Sequence, residues 1–212
     1  MQPYFVPYTG YFRLFAQSDC FVVLDDVQFT RRGWVHRNRF KTGSDQYRWL
    51  TLPLEKAPQD VLINQLRFKK NAADIFAEKL NSFDCFRKKT GKNLKVVKMM
   101  CDFNYRFVDY LENLLGEVCD LLKLDFNIMR SSNLGVSKTV KGSQRIIEIA
   151  KKIGATTYIN LPGGRALYDE DDFIRNGLQL EFLPDWNGDS ASIVQRILTE
   201  DRDIIRQQII NL

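Results

Sequence analysis

Along this chain two hydrophobic periods take turns, and the switch from one to the other marks the elements. A continuous apolar run, Phe21 to Leu24, ends at Asp25-Asp26, as a buried strand does where it leaves a core. Val35–Phe40 and Tyr47–Leu52 read as two strands paired antiparallel across Thr42-Gly43-Ser44-Asp45, with Pro53 closing the second. Ile63–Phe68 is a third short extended candidate. Apolar residues at 72, 73, 76, 77 and 80 give Ala72–Phe86 a helical period. The clearest long helix is Phe103 to Leu122, with Phe107, Tyr110, Leu111, Leu114, Leu115 and Val118 on one stripe.

The second half then alternates. Asp125–Arg130 suits a strand, Ser131–Gly135 a polar loop, and Ser143–Ile153 an amphipathic helix capped by Gly154. Thr157–Leu161 and Leu178–Leu183 read as strands around a short helix, Asp169 to Asn176, closed by Gly177; a last helix runs from Ser190 to about Leu212. Such alternation predicts an α/β fold, mainly parallel sheet flanked by helices. We expect one domain over residues 1–212, with a β-hairpin and helical insertion, or subdomain, over about 30–100.

The first twelve residues carry Pro3, Pro7 and Gly10 among aromatics, which excludes a helix before Thr9. They read as a strand end entering a tight turn, with a helix starting near Gly10 whose first amides can receive an anion. So abrupt a start on Gln2-Pro3 leads us to expect further strand residues upstream of Met1.

Charge sharpens this picture. The net charge of +5 conceals an imbalance: residues 1–100 hold 18 Lys and Arg against 9 Asp and Glu, residues 101–212 hold 13 against 17. A basic half favours anionic partners, above all phosphate-bearing small molecules; lysines that merely solubilise helix faces are the plainer explanation, Arg87, Lys88, Lys89, Lys92, Lys95 and Lys98 included. No run is long enough for a membrane span, and Cys20, Cys85, Cys101 and Cys119 lack metal-site spacing. Free core thiols in a reducing, cytoplasmic setting are expected.

Candidate chemistry gathers in four places. Asp25 and Asp26 alternate across a strand end, so one of them can face a cleft as a base or hold Mg²⁺ with phosphate oxygens, or both can cap a turn. Arg32, Arg37 and Arg39, with Asn38, supply the planar forks of an anion clamp, or decorate a surface hairpin. Tyr8, Gly10 and Tyr11 sit in the first turn as ligand loop or packed aromatics. Asn160, Gly163 and Gly164, before Tyr168 and Asp169, can aim amides at an oxyanion. Ser137–Gly142 is a basic loop of weaker promise, and Trp34 suits core or lid.

Taken together the chain resembles the WbqC-like family. The resemblance rests on Met1-Gln2-Pro3-Tyr4-Phe5-x-Pro7-Tyr8-x-Gly10-Tyr11-Phe12, on Asp25-Asp26-Val27-Gln28-Phe29 and on Arg32-Gly33-Trp34-x-x-Arg37-Asn38-Arg39. It continues through Tyr158-Ile159-Asn160-x-Pro162-Gly163-Gly164-x-x-Leu167-Tyr168-Asp169 to Ser192-Ile193. Members commonly begin with apolar residues ahead of the Met-Gln-Pro. They usually have Asn where this chain has His36, which speaks against essential chemistry there. The resemblance implies bacterial surface polysaccharide (O-antigen) gene clusters and a glycine-transferring role. Adenylating nucleotidyltransferases place a His-x-Gly-His loop where Tyr8 to Tyr11 stand; tyrosine carries no positive charge, so the location transfers and the chemistry does not.

The expectation is an acyl- or aminoacyl-transferase acting on an amino sugar or nucleotide sugar. Asp25 or Asp26 would be the catalytic base or metal ligand. Gln2, Tyr8, Gly10, Tyr11, Arg32, Arg37, Asn38, Arg39, Asn160, Gly163, Gly164, Tyr168 and Asp169 would bind substrate. Use of ATP and Mg²⁺ is left open. The rival is a non-enzymatic nucleotide or nucleic-acid binding module that stacks bases on Trp34, Trp49 and Tyr47, nucleic acid being the less favoured ligand.

Overall fold

A computed structural model describes residues 1–42, 46–87 and 94–211. The fold is α/β. Strand β1 (Phe21–Val23) pairs in parallel with β4 (Ile128–Arg130), Phe21 opposite Ile128. Strand β5 (Thr157–Asn160) pairs in parallel with β6 (Gln179–Phe182). The expected hairpin forms from β2 (Arg37–Lys41) and β3 (Tyr47–Thr51), Arg37 opposite Thr51. Residues 43–45 of its turn, and 88–93 of the basic tract, lie outside the described residues.

Met1 extends the first parallel pair. Its amino group donates to the Val22 carbonyl at 2.7 Å, and Leu24 N–H donates to the Met1 carbonyl at 2.9 Å. Residues 1–4 therefore lead off beside the end of β1 into helix α1 (Thr9–Gln17). A cavity of about 450 Å³ lies between β1 and β5, reaching from Asp19 and Gly154 to Leu24 and Ile159. It flanks the strand bodies, and neither Asp25 nor Gly163 lines it.

Several boundaries differ from the periodicity. Ile63–Phe68 is a 3₁₀ turn over Ile63–Gln65 and a single bridge from Phe68 to Leu54. Ala72–Phe86 divides into α2 (Ala72–Leu80) and α3 (Asp84–Arg87). Helix α4 (Lys95–Met100) precedes α5 (Phe107–Leu121), which starts later than Phe103 because Asp102 bonds the Asn104 amide in a turn. Helix α6 (Gly142–Lys152) ends as expected, Gly154 adopting φ +70°. Helix α7 (Glu170–Arg175) starts at an Asp169 cap and ends before Gly177, φ +72°.

The last helix is in fact two, α8 (Ile193–Thr199) and α9 (Arg202–Ile210). Glu200 is extended and bound to Arg196, and Asp201 caps the Asp203 amide, so a new N-terminus begins inside an unbroken apolar period.

Two cores result. The main one is aromatic: Phe5, Tyr11, Phe12, Phe76, Phe107 and Tyr110 are at most 2% exposed, each large ring removing apolar area from water. The smaller core, Ile146, Ile147, Ala150, Phe173 and Leu178, seals α6 and α7 onto β5 and β6.

Candidate functional site

The paired aspartates follow β1, beside the residues that follow its neighbour β4. Asp25 is 2% exposed. Its Oδ1 accepts from the Ser132 amide (3.0 Å) and the Ser131 hydroxyl (3.2 Å). Its Oδ2 accepts from the Ser132 hydroxyl (2.7 Å) and Asn64 Nδ2 (3.4 Å). Asp26 takes the Ser131 hydroxyl on Oδ1 and Arg145 Nη2 on Oδ2, both at 2.5 Å. All four carboxylate oxygens are thus engaged, which satisfies a charge that would otherwise be costly to bury.

This geometry bears on Mg²⁺. At Asp25 each oxygen already accepts two donors, and at Asp26 the paired Arg145 charge opposes a cation, so the residues present do not fit a Mg²⁺ ligand set. Among the described residues, no group of three or more His, Cys, Asp or Glu could hold a metal ion. Asp25 reaches the surface through Ser132, an exposed residue at the start of a short 3₁₀ turn.

The arginines occupy the hairpin. Alternation along β2 puts Arg37 and Arg39 on its outer face and buries Asn38. Arg37 lies 4.1 Å from the Trp49 ring centre and donates to the carbonyls of Gly33 and Arg32. Arg39 lies 5.1 Å from Trp34 and 5.0 Å from Tyr47, and donates to Ser190 Oγ. Arg32 is exposed. Trp49 and Tyr47 are 42% and 37% exposed, and Lys41 pairs with Asp189 at the edge. The face is a ladder of cations and rings, each contact worth about 0.5–1 kcal/mol where exposed.

Asn38 has a different task. Its Nδ2 donates to the carbonyls of Phe5 (3.0 Å) and Val6 (2.7 Å), and Ser192 Oγ also donates to Val6 (2.7 Å). Val6 has φ +36°, a strained value for a β-branched residue, held by these buried bonds. The turn beyond it carries the other N-terminal candidates. Tyr11 is fully buried, its hydroxyl donating to the Gln2 carbonyl at 2.8 Å, and burial pushes that hydroxyl's pKa well above its ordinary value. Tyr8 is half-buried. A Cβ at Gly10 would come within 2.5 Å of the Tyr8 ring and 2.8 Å of Trp186, so glycine lets Trp186 pack on the turn.

At β5, Asn160 is 5% exposed and its Oδ1 accepts from the Leu161 amide. Gly164 sits against the Asn160 side chain, whereas Gly163 faces open space. Tyr168 meets the Tyr158 hydroxyl at 3.4 Å, and Asp169 caps α7.

Three clusters follow. Tyr8, Gly10, Asn38 and Arg39 meet around Ser190, Ser192 and Trp186. Asp25 and Asp26 gather with Ser131, Ser132, Asn64 and Arg145. Asn160, Gly163, Gly164 and Tyr168 form the third. No hydrogen bond joins one cluster to another among the side chains named here. Periodicity missed Arg145, although a charged residue on the apolar stripe of Ile146 and Ile149 was a signal. It also left Ser131 and Ser132 as generic loop, because their acceptors lie over a hundred residues away.

A model of the WbqC-like protein family matches residues 2–187 of the chain. The chain is also similar, with 26% identity over 207 residues, to Uncharacterized protein Rv1507c of Mycobacterium tuberculosis; the alignment covers 89% of this chain and 81% of that protein. No solved structure matches.

Proposed function

This chain belongs to the WbqC-like protein family, and from that premise we propose that it transfers an acyl or aminoacyl group, glycine included, to an amino sugar or nucleotide sugar in surface polysaccharide assembly. The observation that carries this reading is the pairing of Asp25 with the exposed Ser132 hydroxyl at 2.7 Å, at neighbouring carboxyl ends of parallel strands. Ligand chemistry in α/β folds concentrates at such ends.

In this scheme the acceptor amine attacks the acyl carbonyl and the donor's leaving group departs. The amine proton passes to the Ser132 oxygen while the Ser132 hydroxyl proton moves to Asp25, so a buried carboxylate acts as base through a surface hydroxyl. Asp26, tied to Arg145, positions Ser131 beside it. Arg37 and Arg39, with Arg32, take the phosphates of the nucleotide sugar. Substrate contacts fall in this reading to Gln2, Tyr8, Gly163, Tyr168 and Asp169, and their support to Gly10, Tyr11, Asn38, Asn160 and Gly164. Among the described residues, no helix is long and apolar enough to cross a membrane.

The test is thermal stability with UDP- and dTDP-amino sugars, since a ligand of the native state raises the melting temperature. A shift that disappears in Arg37→Ala/Arg39→Ala, with turnover lost in Asp25→Asn and Ser132→Ala while the shift persists, is expected. Normal turnover in Asp25→Asn removes the assignment. A second reading draws on the exposed Trp49 and Tyr47 rings: a nucleotide or single-stranded nucleic-acid platform. Affinity falling steeply with salt would favour it.

A further inference from the structure

The segment Asn64–Phe68 and the approach to α5 line an open cleft of about 860 Å³, within the range of small-molecule sites. Arg67 and Arg106 both line it, and no carboxylate does. Neither guanidinium has a hydrogen-bonding, ionic or ring partner among the described residues. Arg106 precedes α5 without using its side chain as a cap. Both are exposed, and their N–H groups are left to an anion that enters the cleft.

The walls are preformed. Phe68 packs edge-on against Phe103 at 4.9 Å and against Tyr110 at 5.0 Å. Tyr110 is locked from behind by its hydroxyl bond to the Met100 carbonyl at 2.8 Å. By contrast Tyr105, also lining the cleft, is 46% exposed, a ring face open to stacking. Cationic forks, a rigid aromatic floor and a free ring in one cavity suit a ligand that joins a planar base to a phosphate chain.

We propose that this cleft binds a nucleoside phosphate, its phosphates held by Arg67 and Arg106 and its base stacked on Tyr105. The site is separate from the hairpin arginines and does not depend on the transfer reading. Asn64 links it to Asp25 through backbone (2.8 Å) and side-chain (3.4 Å) bonds.

The experiment is calorimetric titration of the full chain with ADP, inorganic pyrophosphate and adenosine as separate ligands. ADP is expected to bind tightest. Arg67→Gln and Arg106→Gln each weaken ADP by about tenfold or more, as loss of a charge-assisted bond should. Tyr105→Ala weakens ADP and leaves pyrophosphate unchanged. In the Arg37→Ala/Arg39→Ala background, which removes the hairpin clamp, ADP still binds, and Arg67→Gln/Arg106→Gln added to it abolishes that binding. All these side chains are solvent-facing or half-buried, and melting curves verify the fold of each variant. The proposal is overturned if ADP fails to bind at millimolar concentration, if adenosine binds as well as ADP, if Arg67→Gln/Arg106→Gln binds ADP normally, or if only the hairpin variant loses it.

Discussion

The aspartates after β1 and the arginines of β2 stand a dozen residues apart in sequence and meet opposite fates. Asp25 is buried, the Asp26 side chain is 9% exposed, and every carboxylate oxygen is bonded. Arg37 and Arg39 lie on a solvent-facing sheet surface, their planes against rings and only part of their N–H groups engaged. A charge with complete partners is fixed in place by the fold, whereas a stacked, half-engaged guanidinium has donors left over. Density of charge in a sequence does not separate these cases; satisfaction does.

Substitutions can press on that contrast. The largest effect is expected at Arg145→Ala, which strands Asp26 as a buried unpaired carboxylate; urea unfolding should show a loss of about 3–5 kcal/mol. Combining Asp26→Leu with Arg145→Met should recover most of it, since an apolar pair avoids the desolvation cost. Next comes Asn38→Leu, which removes both donors from the Phe5 and Val6 carbonyls; about 2–3 kcal/mol should be lost in the same assay. An unchanged midpoint would remove Asn38 from the scaffold.

A smaller effect concerns pH. Burial, then the neighbouring Arg37 charge, lowers the His36 pKa from 6.5 to about 4. The unfolded chain therefore takes up the proton first. The stability linked to His36 is fully present above about 6.5 and declines as pH falls toward 4. Urea midpoints at pH 7.5 and pH 5 measure the decline, and His36→Asn should flatten it. Smallest is Trp49→Ala: at this exposed ring stability should change by no more than about 1 kcal/mol, while nucleotide-sugar affinity falls. Loss of stability without loss of affinity would make the hairpin face structural.

Much of the fold was legible. The apolar run at Phe21–Leu24, the β2–β3 pairing, the α6 stripe with Gly154, and the β5–α7–β6 alternation all follow from local period and punctuation. The misjudged segments share a cause. Ile63–Phe68 has strand-like residues but changes neighbour along its length, Ile63 and Asn64 bonding Val27 and Asp25 while Arg67 meets Glu55; Ser190 to Leu212 has one apolar period yet two helices, because Asp201 finds a capping role and Glu200 a partner in Arg196. Propensity records neither event.

For the candidate site the division is sharper. By themselves the residues determined the family and the α/β class, because apolar period and turn residues act over a few positions. Only the tertiary structure decided that Asp25 meets Ser132, that Asn38 restrains Val6, that Gly10 accommodates Trp186 and that Arg67 shares a cleft with Arg106. Such pairings join residues tens to hundreds of positions apart; they depend on packing and hydrogen-bond satisfaction in three dimensions, which no local spacing encodes.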